Sequence, residues 1–314
     1  MLRSSKKKVD SGKKPAISFY TKEKMTCTVC RKPFPREEML PLSISFPREE
    51  MLSGSGRMIA GELTDELHRV FEPSAKYGQI YPLIYSVGAC PNCHTALFWN
   101  DFKPLTAAEA DELLYQDEER RKTVSTIFPH YNLNRERTVF DGAAMYYLAL
   151  LTYEQMPKSY SPTIKKGIIS LRLAWLCGYL HKLMPDRNYD YVQQVFYRKA
   201  LFFYPLALEY ETGRVESLAG VAHYGPDIDK NYGYDGVIYL SGLLEYKYGQ
   251  REDIPARLKK LDENKRAIAR IFGLGKSTKE KPGPLLEHSR NLYDNLTKEL
   301  KDASEIDFLD DDEE

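Results

Sequence analysis

Hydrophobic positions follow a helical period over most of the chain. Between residues 105 and 302, apolar residues recur every three or four positions, and Pro or Gly interrupts the runs. The first run has Thr106 as a candidate N-cap and Glu109 in its first turn. The pattern predicts seven or so antiparallel helices with short connections, in residues 103–124, 140–156, 161–183, 189–211, 234–249, 255–273 and 284–300.

The segment before residue 105 has a different pattern. Residues 81–89 (YPLIYSVGA) and 95–99 (TALFW) are rich in aromatic and aliphatic residues and enclose a short turn, as in a β-hairpin. A shorter segment of the same kind, KPF, follows residue 31. Strands are therefore predicted around residues 27–34 and 81–99.

A long insert separates these two strand regions. The heptapeptide FPREEML occurs in it at 34–40 and again at 46–52, and we interpret the repeat as a duplication that lengthens a hairpin. The alternative is a surface of paired Arg and Glu residues for a partner. Residues 61–71 then predict a helix, because Leu63, Leu67, Val70 and Phe71 share one helical face.

Four of the five cysteines form two CxxC pairs, Cys27 with Cys30 and Cys90 with Cys93. Two such turns facing each other supply the four thiolates of a tetrahedral metal site. Closing the loop of 59 residues between Cys30 and Cys90 costs about 3 to 4 kcal/mol in chain entropy. Binding of a structural zinc ion contributes about 10 to 16 kcal/mol and outweighs this cost. The pairs therefore predict a zinc ribbon, with a rubredoxin-like iron centre and four reduced thiols as alternatives.

The residues that follow the two pairs are unusual for such turns. A Gly often stands there because the turn needs a positive φ, but this chain has Arg31 and His94. We expect both to be strained by about 1 to 2 kcal/mol. His94 could alternatively be a ligand. Cys177 lies in an apolar helical stretch and is predicted to be a buried small hydrophobic residue.

Composition and charge exclude several functional classes. The 314 residues are 42% hydrophobic and 29% charged, and the net charge of zero provides no general attraction to nucleic acid or anionic membrane. The most apolar stretch, 167–184, contains Arg172 near its centre, so no membrane span is predicted. Without a secretory signal, a cytoplasmic location is expected, where disulfides are disfavoured.

These patterns predict an α+β protein that is mostly α-helical. We expect a disordered basic head (1–18), a zinc-ribbon domain with an inserted hairpin and helix (19–104), a helical domain (105–302) and a disordered acidic tail (303–314). Parts of the helical domain resemble tetratricopeptide repeats. Residues 196–205, FYRKALFFYP, match a second helix that ends at Pro205, so a tetratricopeptide-like antiparallel array is predicted.

The order of these parts also resembles a bacterial family, domain of unknown function 2225. The resemblance spans roughly residues 19 to 272 and is carried by the first CxxC, by YPLIYSVGACPNCHTALFWNDF, by LRLAWL and by YLSGLLEYKYG. It implies that the four paired cysteines are the presumed metal ligands of the family. Arg31, His94 and the repeated insert depart from the family pattern. The family has no established activity, so the resemblance implies an architecture and no reaction.

Three functions are compatible with the sequence. The first is a non-enzymatic scaffold that binds a protein partner through a helical groove. The second is nucleic-acid binding through the basic ribbon, around Lys22, Lys24, Arg31 and Lys32. The third is an uncharacterised metal-dependent hydrolase, although no catalytic motif and hence no catalytic residue is found. The candidate partner-binding residues of the scaffold are aromatic: Trp175, Tyr179, Tyr204, Tyr239 and Tyr246.

Overall fold

Helices dominate the part of the chain that the structure describes, and three small β-hairpins precede them there. The computed structural model describes residues 20–37, 59–73, 78–221, 223, 225–228, 230–273 and 281–310. The strands in this part are β1 Tyr20–Thr26, β2 Pro33–Glu37, β3 Ile59–Leu63, β4 Arg69–Glu72, β5 Val87–Ala89 and β6 Ala96–Phe98. The α-helices are α1 Ala107–Tyr115, α2 Asp117–Ile127, α3 Val139–Glu154, α4 Pro162–Leu183, α5 Tyr189–Thr212, α6 Gly233–Tyr248, α7 Ile254–Phe272 and α8 Gly283–Asp310.

The predicted helices are present, and an α+β class that is mostly α is confirmed. One predicted segment, 103–124, forms two helices that meet at Gln116. Thr106 and Glu109 form a reciprocal capping box at the start of α1, as their spacing predicts. The last helix, α8, continues to Asp310, past the tail boundary predicted at 302. The head, residues 1–18, lies outside the described residues.

The tetratricopeptide-like arrangement is not confirmed. Pro205 lies inside α5, which continues to Thr212, so the predicted helix exit at Pro205 is wrong. The α4 and α5 helices have 22 and 24 residues, so the pair is longer than a repeat of about 34 residues. Among the described residues, no helix combines the length and the apolar character needed to cross a lipid bilayer.

The hairpins are three separate two-stranded antiparallel sheets, β1 with β2, β3 with β4, and β5 with β6. The predicted helix at 61–71 is wrong, because these residues form the β3–β4 hairpin. Gly61 fits this hairpin closely, since a Cβ there would lie 2.2 Å from Val70 O. The turn between the strands is stabilised by contacts with distant helices, described below, and these contacts outweigh the local helical pattern.

One continuous core joins the hairpins to the helices. It extends from Cys27 in the first hairpin to Leu296 in α8. Helix α3 is almost entirely buried and contacts β5, β6 and α4, while α4 packs along α5. The β5–β6 hairpin is therefore built into the surface of the helical body.

Candidate metal centre

The two CxxC turns have the same backbone hydrogen bonds. In the first turn the Arg31 amide donates to Cys27 O and the Cys27 amide donates to Lys32 O, each at 3.0 Å. In the second turn the His94 amide donates to Cys90 O, and the Cys90 amide donates to Thr95 O, each at 2.9 Å. The strands β1 and β2 hold the first turn, and β5 and β6 hold the second. Each hairpin therefore presents two sulfurs on the same side of its turn.

The four sulfurs form one cluster, as the spacing of the cysteines predicts. All four Sγ atoms lie within 4.8 Å of one another. The Cys27 and Cys93 sulfurs are 3.6 Å apart, and so are those of Cys30 and Cys90. A metal about 2.3 Å from each of four tetrahedral sulfurs would place the sulfurs about 3.8 Å apart. The cluster therefore has the size of a four-thiolate metal site, whereas the separations are too long for a disulfide, which joins sulfurs about 2.05 Å apart.

Both turns contain the backbone strain that the missing glycines predict. The φ angle is 62° at Arg31 and 50° at His94, so both residues are in the left-handed region. The His94 ring is held by Asp117 at the start of α2, with Nδ1 2.7 Å from Oδ1. His94 is not a member of the sulfur cluster. It instead links the second turn to the helices.

A buried cation lies beside the sulfurs. Arg120 of α2 is 4% exposed, and its Nη2 donates to Cys93 O at 3.1 Å. Burial lowers the pKa of Arg120, and the negative charges of Asp117, Cys93 and Cys27 oppose this shift. Among the described residues, its Nε and Nη1 atoms have no hydrogen-bond acceptor. Four thiolates around a divalent metal carry a net negative charge, so Arg120 suits a metal-loaded cluster.

The thiols interact strongly with one another. Hydrogen bonds to Cys90 and Cys93 raise the pKa of Cys27, while the hydrogen bond from Cys27 lowers the pKa of Cys90 to about 3. The side-chain amide of Asn92 points to Cys90 Sγ at 3.8 Å. The hydroxyl of Thr95 lies 3.3 Å from Cys93 Sγ. The thiols of the cluster are therefore coupled and do not titrate independently. Cys177 is remote from the cluster, and burial raises its pKa to about 12, as expected for an inert core thiol.

The aromatic residues predicted to bind a partner lie elsewhere, and three of them are buried. Trp175, Tyr204 and Tyr239 are at most 5% exposed, while Tyr179 and Tyr246 are half-buried. Tyr204 is in the core. Trp175, Tyr179 and Tyr239 all contact one segment of the same chain, residues 64–68 between β3 and β4, which we call the docked turn.

Glu66 provides the largest set of contacts in the docked turn. Its carboxylate accepts hydrogen bonds from Trp175 Nε1 at 2.6 Å, Tyr197 OH at 2.9 Å and Tyr248 OH at 3.0 Å. Lys247 Nζ lies 3.2 Å from the same carboxylate. The Tyr239 hydroxyl donates to the main-chain oxygen of Asp65 at 2.7 Å. One buried carboxylate therefore connects α4, α5 and α6.

His68 extends the same attachment. Its ring stacks on Trp175 with centroids 4.2 Å apart, and Nε2 lies 2.7 Å from the Tyr179 hydroxyl. Nδ1 is bonded to the buried carboxylate of Asp227. Burial raises the pKa of that carboxylate, but the hydrogen bond and charge of His68 outweigh burial, and the pKa is lowered. The local sequence gives no sign of this role for His68, because Asp227 lies 159 positions away.

Only the start of the repeated heptapeptide can be placed. Residues 34–37 lie in β2, where Glu37 forms a buried ion pair with Arg137. The rest of the first copy and all of the second copy are outside the described residues. The predicted hairpin between the copies and the alternative partner surface therefore stay predictions.

Comparisons with known proteins identify relatives but no activity. The profile of a family described as uncharacterised proteins conserved in bacteria, domain of unknown function 2225, matches residues 20–296. An uncharacterised protein of Borreliella burgdorferi is 42% identical over 286 residues, which cover 91% of this chain and 98% of that protein. No solved structure matches the chain significantly. The chain therefore belongs to the bacterial family named domain of unknown function 2225.

Proposed function

We propose that the four cysteines hold a structural zinc ion and that the protein is a non-enzymatic scaffold for a protein partner. The convergence of the four sulfurs within 4.8 Å is the observation that carries the zinc assignment. Four thiolates also suit iron, so the metal analysis below must distinguish the two metals. Four thiolates complete a tetrahedral shell and leave no position for a reactive water. The hydrolase alternative therefore gains no support from this centre.

The zinc assignment is tested by metal analysis of the full-length protein. We expect one equivalent of zinc after purification without chelator, and cobalt replacement should give the intense sulfur-to-metal absorption of four thiolates. The variant Cys90→Ser should lose the metal, while the control Cys177→Ser should retain it because Cys177 is remote from the cluster. Stoichiometric iron, or no metal in the wild type, would contradict the assignment.

The scaffold assignment is supported by an open groove on the helical body. The groove has a volume of about 980 Å³ and is lined by residues of α5, α6 and α7. Phe202 lies in it and is 61% exposed, so its ring is accessible to a partner. Arg198 and Lys260 provide positive charge in the groove, and Glu252 and Glu263 provide negative charge. None of the five predicted aromatic residues lines this groove.

The groove fits an extended or helical protein segment with an apolar anchor and charges of both signs. A photo-crosslinking amino acid at position 202, introduced in the native bacterium, should capture one protein reproducibly. The matched control is position 115, because Tyr115 is 83% exposed but lies on α1, outside the groove. Equal capture at both positions, or capture from position 202 that survives Arg198→Glu, would argue against the groove.

A second function is supported by the first hairpin. Lys22, Lys24, Arg31 and Lys32 are all exposed on β1 and the first CxxC turn, so their charges are available to a phosphate backbone. Reversing all four charges should abolish any salt-sensitive binding of RNA or DNA. Binding that is unchanged by the reversal would exclude this hairpin as the nucleic-acid surface.

A further inference from the structure

A second cavity lies where the β5–β6 hairpin meets the helical body. Its volume is about 390 Å³, within the range of small-molecule sites. One side is a face of α4 that carries Lys165, Ile168 and Arg172, residues at helical spacing. Residues around β6 also line the cavity, and so do Val221, Ile228 and the exposed His223, which we take to mark its mouth. None of the four clustered cysteines lines the cavity.

Aromatic rings form the apolar part of the cavity. Tyr85, Phe98 and Trp99 all line it, and each is partly exposed. Trp99 is held in place by a hydrogen bond from Nε1 to Tyr85 O at 2.7 Å. Its ring also lies over Gly88, where a Cβ would be 2.4 Å from the ring. The ring is thus fixed in advance, packed on Phe34, and its partly exposed part forms an apolar wall of the cavity.

The buried charge in the cavity is positive and lacks an anion. Arg172 is 4% exposed, and its acceptors are all neutral: Pro226 O at 2.7 Å, Tyr146 OH at 3.1 Å, and Gly225 O and Asp227 O at 3.4 Å. None of the described residues gives Arg172 a carboxylate partner. A buried charge without a counter-charge is costly, so an anion entering the cavity would be stabilised there.

The two carboxylates that line the cavity are already used. Glu37 is paired with the buried Arg137. Asp101 accepts hydrogen bonds from Tyr153 and, at 2.5 Å, from Lys165 Nζ. Lys103, at the exposed rim, has no ion-pair partner among the described residues. The carboxylates therefore do not compensate Arg172 and Lys103.

His223 adds a hydrogen-bond donor at the mouth. Desolvation and the charge of Arg172 lower its pKa, which favours the neutral ring. Nδ1 of this ring accepts the Gly225 amide at 3.1 Å, so the ring proton is on Nε2. The polar groups that remain available to a ligand are thus mainly donors: Arg172, Lys103 and His223.

We infer that this cavity binds a small organic anion, in which a carboxylate or phosphate faces Arg172, Lys103 and His223 and a planar apolar group lies against Trp99 and Phe98. The hydrogen-bond donors recognise the anionic group of such a ligand, and the aromatic rings recognise its planar apolar group. Neither an inorganic anion nor a neutral aromatic compound would satisfy the whole site.

Titration calorimetry with matched probes tests the inference on the full-length, metal-loaded protein. The probes are three organic anions, each with an uncharged counterpart: benzoate with benzamide, phenyl phosphate with phenol, and adenosine monophosphate with adenosine. Inorganic phosphate is measured as a further comparison. We expect at least one organic anion to bind saturably, about tenfold or more tighter than its counterpart and than inorganic phosphate. Binding should weaken as salt is raised.

Variants then locate the binding. Arg172→Met should weaken the affinity about tenfold or more, and Lys103→Met by a smaller factor. The matched control is Lys122→Met, because Lys122 is exposed on α2 and does not line the cavity. Should Arg172→Met fail to fold, Lys103→Met and His223→Ala at the exposed mouth provide the same test. The inference is overturned when no organic anion binds, when uncharged counterparts bind equally well, or when the mouth variants bind like the wild type.

Discussion

The β1–β2 and β3–β4 hairpins are both held by groups far along the chain, but the chemistry of the two attachments differs. The first hairpin meets the second CxxC turn through four sulfurs, with Cys27 and Cys93 66 positions apart. The β3–β4 hairpin is held through Glu66 and His68, whose partners lie 109 to 182 positions away. The proposed function makes the sulfur attachment depend on a metal ion, which a chelator can remove. The contacts of the docked turn are made by groups of the chain itself.

The largest expected effect comes from breaking the sulfur attachment. Cys90→Ser, or a strong chelator, should release the metal and remove hydrogen-exchange protection from residues 20–37 and 87–98, because structural zinc contributes about 10 to 16 kcal/mol in small domains. Much of the core that the hairpins share with the helices comes from α3, α4 and α5, so far-ultraviolet circular dichroism should lose little helical signal. Protection of residues 61–72 should persist, because the docked turn contains no sulfur. Loss of protection in both hairpins together would show that the two attachments are coupled.

Glu66→Ala should be the strongest single change in the docked turn. It removes the acceptor shared by the buried Trp175 and Tyr197 and the half-buried Tyr248. We expect a loss of about 3 kcal/mol in the free energy of unfolding, measured in urea, with the metal retained. The control is Asp65→Ala, since the exposed Asp65 pairs with the same Lys247 and should cost less than about 1 kcal/mol.

The docked turn should also respond to acid. The pKa of Asp227 is lowered in the folded protein by its contacts with His68, despite burial. A carboxyl group whose pKa is lower in the folded than in the unfolded protein stabilises the fold fully at pH values above its pKa in the unfolded chain, 3.8. This stabilisation is lost as the pH falls through the pKa in the folded protein. In the variant Asp227→Asn, the free energy of unfolding should therefore decrease less steeply below about pH 4 than in the wild type. The control is Asp111→Asn at an exposed position, which should keep the wild-type pH profile. Equal pH profiles for the wild type and Asp227→Asn would contradict this assignment.

The smallest effect concerns the strained CxxC turns. Arg31 is exposed and has a φ of 62°, so Arg31→Gly should raise the unfolding free energy of the metal-loaded protein by about 0.5 to 1 kcal/mol. Arg31→Ala keeps the Cβ and should give no such gain. Equal stabilities of the Gly and Ala variants would show that the turn relaxes around the side chain.

The sequence predicted those features that depend on residues close together in the chain or on the spacing of particular residue types. The helical period located α3 to α7 closely, and the Thr106–Glu109 spacing located a cap. The two CxxC pairs identified the sulfur cluster because a metal site requires that number and type of ligand. The missing glycines even predicted the backbone conformation of Arg31 and His94.

The sequence did not predict features that depend on distant contacts. Residues 61–71 have a helical pattern, but their turn conformation is stabilised by Trp175, Tyr239 and other side chains that no local window contains. A positive φ of 59° at the buried Leu67 could not be anticipated for the same reason. Three of the aromatic residues predicted to bind another protein, Trp175, Tyr179 and Tyr239, contact this turn. The sequence likewise did not indicate the roles of Arg120 and Arg172. These roles depend on burial, of Arg120 beside the sulfurs and of Arg172 beside aromatic rings.

The position of the docked turn also constrains the order in which the newly made chain can fold. Glu66 is synthesised 182 residues before Tyr248, one of the groups that hold it. The β3–β4 hairpin, a short two-stranded sheet that is marginal alone, must therefore wait until α6 has left the ribosome. The two CxxC turns are complete much earlier, once Cys93 has been made. Metal capture can thus precede the docking of the turn during synthesis, and a chain truncated before α6 would retain its sulfur cluster while lacking a binding place for Glu66.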